Sequence, residues 1–375
     1  MAEDMSIEID YPNEYDNSGR VANAAQLLDA YVEDAANFRK REDLVADYNL
    51  AYGPAERNQM DIFWPDEDRE SPIVMFIHGG YWKSMDRSAF SHMAGGLLQR
   101  GIAVAMPSYT LCPDIQISGI INELRRASLV LYQTYKRKVV VVGHSAGGHL
   151  AACMMATDWE NIHHDLPEDL VAAGMGISGI YDLLPILHTP VNETVQMDVD
   201  QASAASPIDW LPEAVQKFEA WVGADESAEY HRQSRDLSER WSMSGTPTKF
   251  MSVENENHFT IIHALTDSDS AMVQKISELV EEPAAKVKLP RLSKKKVLAE
   301  MQTFDMSPPD GEMPKATKAK SKGKKVKKAP KASSAKPKAK ARATSIKPRS
   351  ALKRKAAAAS RKTPRKKRIR KSAST

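Results

Sequence analysis

Short apolar runs alternate with longer segments of helical periodicity between about residues 44 and 260. The runs predict strands at 61–64, 73–77, 102–106, 139–142, 176–178, 218–222 and 249–253. The intervening segments predict helices near 88–100, 116–135, 146–157, 229–241 and 268–282. Strands that alternate with helices are typical of βα units. The pattern therefore predicts an α/β protein with a mainly parallel central sheet flanked by helices.

Two of the predicted strands belong at the centre of the sheet. Residues 73–77 and 139–142 are apolar throughout, as expected of strands covered by helices on both faces. Ahead of residue 44, residues 22–41 predict an amphipathic helix that caps the body. Its expected apolar face consists of Val21, Ala25, Leu28, Val32 and Phe38.

Charge divides the chain into two parts. Residues 315–375 hold 26 of the 52 Lys and Arg residues and no Asp or Glu, whereas residues 1–314 hold all 49 acidic residues. The body therefore carries a formal charge of −23 and the tail +26, although the whole chain sums to +3. The overall charge of the chain therefore describes neither part.

Composition also sets the predicted boundaries. Residues 1–43 form an N-terminal helical cap segment, residues 44–282 the α/β domain, and the proline-bearing residues 283–314 a linker. Residues 315–375 are rich in Lys, Ala and Pro and contain no aromatic residue. Such a segment has too little apolar surface to offset the chain entropy lost on folding, so we expect a disordered basic tail.

The cysteine content and the N-terminus favour a cytoplasmic protein. Cys112 and Cys153 are too few for a disulfide framework or a multi-cysteine zinc site. Residues 1–10 lack the basic and apolar regions of a secretory signal, and no apolar stretch approaches the length of a membrane span. We expect no metal, no cofactor and no membrane contact.

The strongest local signal is the sequence Gly-His-Ser-Ala-Gly-Gly at residues 143–148, directly after one predicted strand and directly before a predicted helix. A tight turn from strand to helix needs glycines at its flanks and raises the serine above the sheet, at a helix N-terminus. This context predicts that Ser145 is a nucleophile.

A second signal is His-Gly-Gly-Tyr-Trp at residues 78–82, which follows the strand 73–77. Backbone N–H groups of small residues can approach a developing oxyanion closely. We expect Gly79, Gly80 and Ala146 to donate to that oxyanion. Tyr81 and Trp82 are candidates to line an aryl-binding wall.

The base that activates a serine should lie late in the chain, because this arrangement orders its residues serine, acid, histidine. His258, in a polar loop after the strand 249–253, is the leading candidate. His263 is its rival, although the apolar sequence around it indicates a helix interior.

The acid should follow the preceding strand, where Asp225 and Glu226 are adjacent. Either carboxylate would hold the imidazole tautomer and stabilise the imidazolium that forms during catalysis. Asp182, after an earlier strand, is a third candidate, and its alternative role is to cap the next helix.

These residues together resemble the arylformamidases, also called kynurenine formamidases, in the esterase and lipase group of the α/β-hydrolases. The resemblance spans roughly residues 10–265. It rests on 78–82, 143–150, the sequence Glu-Tyr-His-Arg-Gln-Ser at 229–234, and His-Phe at 258–259 followed by Ile-Ile at 261–262. It implies the α/β-hydrolase fold and favours Glu226 as the acid. Thr260 departs from the Asp that is common after His-Phe in that family.

The resemblance implies hydrolysis of N-formyl-L-kynurenine to L-kynurenine and formate, a step of tryptophan degradation. A carboxylesterase for short acyl esters is the alternative within the same fold. A nucleic-acid-associated protein whose body is a scaffold is the alternative from another class. The predicted partner of the body is a small formamide or ester, and a homodimer is possible.

The tail is similar in composition to linker-histone C-terminal tails. Its 26 cations would displace counterions from DNA or RNA and give binding without sequence preference. The basic cluster at residues 364–371 suits a nuclear localisation signal, and a nucleoid association is the counterpart in a cell without a nucleus. A tail that serves solubility, or that contacts its own acidic body, is the competing interpretation.

Overall fold

The computed structural model of the protein describes residues 9–163, 166–212 and 216–281. The predicted linker 283–314 and tail 315–375 lie outside the described residues. Eight strands form one sheet. They are β1 (Val45–Ala51), β2 (Gln59–Trp64), β3 (Ile73–Ile77), β4 (Ala103–Pro107), β5 (Val139–His144), β6 (Val171–Ile177), β7 (Lys217–Gly223) and β8 (Thr248–Val253).

The strand order is β1-β2-β4-β3-β5-β6-β7-β8. The first two strands pair antiparallel with each other, and β2 also pairs antiparallel with β4. From β4 to β8 every pairing is parallel. The predicted mainly parallel sheet, and the α/β-hydrolase fold that the resemblance implied, are confirmed. The strand β1 was missed, because none of its positions is fully buried and its sequence shows no regular alternation of apolar and polar residues.

The longer helices cover both faces of the sheet. The α-helices are α1 (Tyr11–Glu14), α2 (Asn17–Arg20), α3 (Ala24–Phe38), α4 (Gly95–Gln99), α5 (Ile117–Tyr135), α6 (Ala146–Met155), α7 (Trp159–Ile162), α8 (Asn192–Val195), α9 (Val199–Ala204), α10 (Ala228–Met243) and α11 (Ala271–Glu281). Short 3-10 helices span Arg87–Ala94, Leu184–His188, Pro207–Asp209 and Ile261–Thr266. The predicted helix over 88–100 is thus a 3-10 helix followed by α4.

Two apolar cores lie on opposite faces of the sheet. In β3, Met75 faces the core that contains α5, α6 and α10, while Val74 and Phe76 face the core that contains α3, α4 and α11. This alternation follows from the two-residue period of a strand. It explains why β3 and β5 are apolar at nearly every position.

The helix α3 lies within the predicted segment, but its buried face differs from the predicted one. Ala24, Tyr31, Ala35 and Phe38 are buried, whereas Val32 is 55% exposed. Tyr31 determines the orientation, because its ring enters the core and its hydroxyl donates to the backbone oxygen of Phe259. The assignment of Ala25 and Val32 to the apolar face was wrong.

Candidate active site

Ser145 occupies the turn between β5 and α6, with φ 58° and ψ −121°. A residue with a side chain seldom adopts a positive φ, and such strain is found mostly at functional sites. The turn is tight enough to exclude side chains at its flanks. A Cβ on Gly143 would lie 2.0 Å from the Gly147 oxygen, and one on Gly147 would lie 2.0 Å from the Ile77 oxygen. The two glycines of the motif are therefore required by close approach.

His258 lies in the loop after β8, and its side chain is almost fully buried. Its Nδ1 atom is 2.6 Å from Oε2 of Glu226. Because a carboxylate only accepts hydrogen bonds, Nδ1 carries the hydrogen and donates it. The neutral ring then has its basic lone pair on Nε2, which is the tautomer that a general base requires.

Glu226 follows β7 and is held at both carboxylate oxygens. Its Oε1 accepts from the backbone nitrogen of Gly223 at 2.8 Å and from the Ser178 hydroxyl at 2.5 Å, which leaves Oε2 for His258. Ser178 follows β6, Glu226 follows β7 and His258 follows β8, so the ends of three consecutive strands supply the acid, its support and the base. The carboxylate is fixed before any substrate arrives.

The other candidates for acid and base are not brought to this position. Asp225 is exposed, and the structure places Glu226 against the imidazole, so the alternative assignment to Asp225 is wrong. Asp182 accepts from the backbone nitrogen of Leu184 at 3.1 Å and pairs with Arg232 at 3.4 Å, but the N-cap of the following 3-10 helix is Leu183, so Asp182 is neither the acid nor the cap. His263 is exposed and its ring lies beside Tyr31.

Ser145 and His258 open into the same cavity, which has a volume of about 680 Å³. Its lining residues come from the N-terminal segment (residues 10–18), α3, the loop after β3, the 3-10 helix Arg87–Ala94, the turn at Ser145, the loop after β8 and residues 189–191. They are Asp10, Pro12, Asn13, Tyr15, Asp16, Asn17, Ser18, Leu28, Tyr31, Gly79, Gly80, Tyr81, Lys83, Ser84, Met85, Phe90, His144, Ser145, Thr189, Pro190, Val191, His258 and Phe259. A nucleophile and a base that share one cavity can act on one substrate.

The predicted oxyanion donors lie beside Ser145. A Cβ on Gly79 would be 3.0 Å from the Cβ of Ser145, so the backbone comes close to the nucleophile there. Gly80 has φ +110°, which a residue with a side chain rarely adopts. Ala146 is the first residue of α6, where a backbone N–H has no partner within the helix. Gly79 and Gly80 line the cavity and Ala146 directly follows Ser145, so their role as oxyanion donors stays a prediction.

The two aromatic residues of the second motif have different roles. Tyr81 lines the cavity and is only partly buried. Trp82 is fully buried in the core, and its Nε1 donates to Nδ1 of His149 at 3.2 Å. The prediction that Trp82 lines an aryl-binding wall was wrong, because Trp82 points into the packing between the sheet and α6.

His144, next to the nucleophile, supports the loop that holds His258. Its Nε2 lies 2.8 Å from the backbone oxygen of His258, and the two ring centroids are 4.8 Å apart. Burial, with His258 as a second cause, holds the pKa of His144 well below its usual value. The neutral His144 therefore donates from Nε2 and fixes the backbone at His258.

The N-terminal segment contributes a wall of the cavity that sequence reasoning missed. Glu14 accepts from the backbone nitrogen of Glu229 at 3.0 Å, and the Tyr15 hydroxyl donates to the carboxylate of Glu229 at 2.9 Å. Gln233 donates to the Tyr15 oxygen at 2.8 Å. The segment 229–234, noticed only as a family motif, is thus the surface of α10 that binds the N-terminal segment.

The described residues contain no cluster of His, Cys, Asp and Glu side chains that could hold a metal ion. The described helices are also too short or too polar to cross a membrane. The chemistry that the site can support with its own groups is nucleophilic attack by a serine, assisted by a histidine and a carboxylate.

The fold and the site define a serine hydrolase of the α/β-hydrolase class. The BD-FAE family model matches residues 60–240. The chain is 30% identical over 240 residues to the kynurenine formamidase of Danio rerio, covering 62% of this chain and 81% of that protein. It is 31% identical over 241 residues to the kynurenine formamidase of Salmo salar, with the same coverage of 62% and 81%. The chain belongs to the kynurenine formamidase family.

Solved structures agree with this fold. A protein described as a thioesterase from Silicibacter sp. has 33% sequence identity and a TM-score of 0.64, over 72% of this chain and 100% of that one. Esterase B of Lactobacillus rhamnosus has 15% identity and a TM-score of 0.52, over 71% and 97% of the two chains. The second likeness concerns the fold alone.

Proposed function

We propose that this protein hydrolyses N-formyl-L-kynurenine to L-kynurenine and formate. The observation that carries the proposal is that Ser145 and His258 line one cavity of about 680 Å³, with Glu226 bonded to the far nitrogen of His258. Hydrolysis of a formamide or an ester follows from the family. The kynurenine formamidases of two fishes and of Drosophila melanogaster, the last at 27% identity, support the narrower substrate.

The charges around the cavity suit an amino acid substrate. Lys83 is the only Lys or Arg among the described residues that line it, and Asp10 and Asp16 are its two carboxylates. An amino acid carries one carboxylate and one ammonium group, so each charge has a possible partner of opposite sign. A short neutral ester needs neither.

In the proposed mechanism, Ser145 attacks the formyl carbon while its proton passes to Nε2 of His258. The tetrahedral oxyanion accepts hydrogen bonds from the backbone N–H groups of Gly79, Gly80 and Ala146, each of which can supply about 3 kcal/mol of stabilisation. The C–N bond then breaks, and His258 returns the proton to the departing aryl amine. The products of this step are L-kynurenine and a formyl ester on Ser145.

Water completes the cycle. His258 takes a proton from a water molecule, which attacks the formyl ester, and the second tetrahedral intermediate releases formate. His258 then gives the proton back to the Ser145 oxygen. Glu226 keeps the imidazole oriented through both halves and stabilises the imidazolium, while its own hydrogen bonds to Gly223 and Ser178 stay in place.

The test compares substrates on the purified full-length protein. We expect kcat/KM for N-formyl-L-kynurenine to exceed that for p-nitrophenyl acetate by at least about 100-fold, a ratio within the range that a complementary site provides. Ser145→Ala should remove both activities without lowering the melting temperature. A preference for the ester would replace the formamidase by the carboxylesterase alternative, and full activity of the alanine variant would refute the role of Ser145.

A further inference from the structure

A cluster of buried hydroxyl and amide groups lies next to the proposed nucleophile. The Tyr230 hydroxyl accepts a hydrogen bond from Nδ2 of Asn17 at 2.8 Å and lies 2.8 Å from the Tyr81 hydroxyl. The same Asn17 nitrogen is 3.1 Å from the Tyr81 oxygen. Tyr230 belongs to α10 and is fully buried, and Asn17 belongs to α2 and is also buried. Three distant segments of the chain thus meet at Tyr230.

The available hydrogens in this cluster can be assigned. Tyr81 lies 2.6 Å from the backbone oxygen of Tyr15, which can only accept, so the single hydroxyl hydrogen of Tyr81 is used there. The two hydrogens on Asn17 Nδ2 go to Tyr81 and Tyr230. The hydrogen of Tyr230 is therefore the only one in the cluster without an obligatory acceptor, and the Tyr81 oxygen is one of its possible acceptors.

The Tyr230 ring packs against His258, the base of the proposed Ser145–His258 pair. Its ring centroid lies 4.7 Å from that of His258, with an angle of 53° between the planes. Burial raises the pKa of Tyr230, so the group stays a neutral phenol, while a hydrogen bond with the Ser145 side chain acts to lower it. The Ser145 oxygen is thus the second possible acceptor for the Tyr230 hydrogen.

We propose that Tyr230 is a further catalytic residue whose hydroxyl, anchored by Asn17 and Tyr81, holds the Ser145 oxygen and donates to it as negative charge develops. When Ser145 gives its proton to His258, the Tyr230 hydrogen turns from Tyr81 toward the serine oxygen. In deacylation the same oxygen is the leaving group, and Tyr230 stabilises it until His258 returns the proton. Tyr230 keeps its own proton throughout. The proposal rests on the proposed function only in taking Ser145 as the nucleophile.

The alternative is that the cluster merely attaches the N-terminal segment to the body. Both roles predict a loss of stability when the hydroxyl is removed, because buried polar partners are left unsatisfied. They differ in the intrinsic reactivity of Ser145. A loosened wall leaves a small reagent with equal or better access to Ser145, whereas loss of a direct contact with the serine oxygen slows its modification, so the direction of the change in rate separates the two roles.

The experiment measures sulfonylation of Ser145 by phenylmethanesulfonyl fluoride in the full-length protein and in Tyr230→Phe. In this reaction a bond forms between the serine oxygen and sulfur, fluoride leaves, and the serine proton passes to His258. We expect sulfonylation to be about tenfold slower in Tyr230→Phe, the effect of one hydrogen bond made in the transition state. For p-nitrophenyl acetate, kcat should fall by a similar factor while KM stays within about twofold.

Tyr52→Phe is the matched control. Tyr52 is fully buried, its hydroxyl donates to the backbone oxygen of Ser108, and it is absent from the cavity lining. This variant loses an equivalent buried hydrogen bond and should become less stable, yet it should be sulfonylated at the wild-type rate. A wild-type rate in folded Tyr230→Phe would overturn the proposal, as would an equal slowing in Tyr52→Phe.

A second variant covers the case in which Tyr230→Phe does not fold. Asn17→Ala keeps the phenol but removes the group that fixes it, so sulfonylation should slow by a few-fold, and an unchanged rate would count against the proposal. Failure of the proposed substrate is a separate result. A wild-type protein that is sulfonylated at Ser145 but leaves N-formyl-L-kynurenine intact would refute the substrate and leave the role of Tyr230 standing.

Discussion

Trp82 donates a hydrogen bond from its indole nitrogen to Nδ1 of His149 at 3.2 Å, and the two rings meet at right angles. The other ring nitrogen, Nε2, is 2.7 Å from the backbone oxygen of Ala205. Because Trp82 can only donate, Nδ1 must be unprotonated and Nε2 must carry the hydrogen. The core therefore accommodates a neutral His149 and opposes a charged one.

The buried Trp82–His149 pair makes the free energy of unfolding depend on pH. Burial lowers the pKa of His149 from 6.5 to about 4, so the unfolded chain takes up a proton before the folded one does as the pH falls. Stability should decline between about pH 6.5 and pH 4, by up to about 1.4 kcal/mol per pH unit for this one residue. Urea unfolding at pH 7 and at pH 5 measures the effect.

His149→Gln should be less stable at pH 7 but should show a shallower decline toward pH 5. His263→Gln is the control, because its imidazole is exposed. It should keep the slope of the natural protein. Buried His78 and His92, whose pKa values burial also lowers to about 4, and His144, whose pKa is held well below its usual value, add to the slope that remains. An unchanged slope in His149→Gln would contradict the assignment.

A second prediction separates the two adjacent carboxylates. In Glu226→Gln the amide oxygen can still accept from Gly223 and Ser178, but the amide nitrogen then faces Nδ1 of His258 and requires it to be an acceptor. The hydrogen moves to Nε2, and the ring can no longer act as a base. We expect kcat to fall by at least about 100-fold.

Asp225→Asn is the matched control for that substitution. It removes the same charge one residue earlier, on an exposed side chain, and should leave kcat unchanged. Steady-state kinetics on both variants check the prediction. Similar losses in the two variants would indicate a general effect of charge and would contradict the role of Glu226.

A third prediction concerns Lys83 at the cavity. If its ammonium group binds the substrate carboxylate, Lys83→Met should raise KM for N-formyl-L-kynurenine about tenfold, as expected for the loss of one charge-assisted contact. The KM for p-nitrophenyl acetate, which has no carboxylate, should not change. Lys40→Met makes the same substitution at an exposed residue outside the cavity lining and should alter neither value. Equal KM values for the natural protein and Lys83→Met would exclude this contact.

A fourth prediction follows from the basic residues 315–375, whose 26 cations are offset by no acidic residue. We expect the full chain to bind duplex DNA without sequence preference, with an affinity that falls steeply as salt increases. A chain that ends at residue 314 should lose this binding and keep its hydrolytic activity. Fluorescence anisotropy at several salt concentrations measures both. Equal binding by the two chains would leave the tail without a role in DNA binding.

The sequence predicted those features that depend on neighbouring residues or on chain order. The glycines around Ser145 identified a tight turn because their need for close approach is local, and His258 followed from the order of the strands. The choice between Asp225 and Glu226 depended on which side chain turns toward β8; the spacing of the residues left it open, and only the family resemblance favoured Glu226. The position of Trp82 was predicted wrongly for a similar reason: Tyr81 lines the cavity, whereas its neighbour Trp82 points into the core.

Contacts between distant parts of the chain left no such signal. Tyr15 and Asn17 lie more than 200 residues before α10 in the chain. Their hydrogen bonds to Glu229 and Tyr230 form only when the N-terminal segment has folded against this helix. Likewise, α3 buries the face that contains Tyr31 and not the face that the apolar pattern predicted. Periodicity reports which face is apolar, but the identity of the partner surface decides which residues are covered.

The short helices α1 and α2 form a wall of the cavity without contributing a strand to the sheet. Buried Tyr15 and Asn17 attach this wall to α10, whereas Pro12, Asn13 and Ser18 are exposed and line the cavity, so exchanging these three should change which molecules enter and leave the sheet intact. Substrate preference can thus be altered at the exposed positions of a stretch whose buried residues keep it attached to the body. Directed evolution aimed at other formamides or esters would accordingly begin with positions 12, 13 and 18.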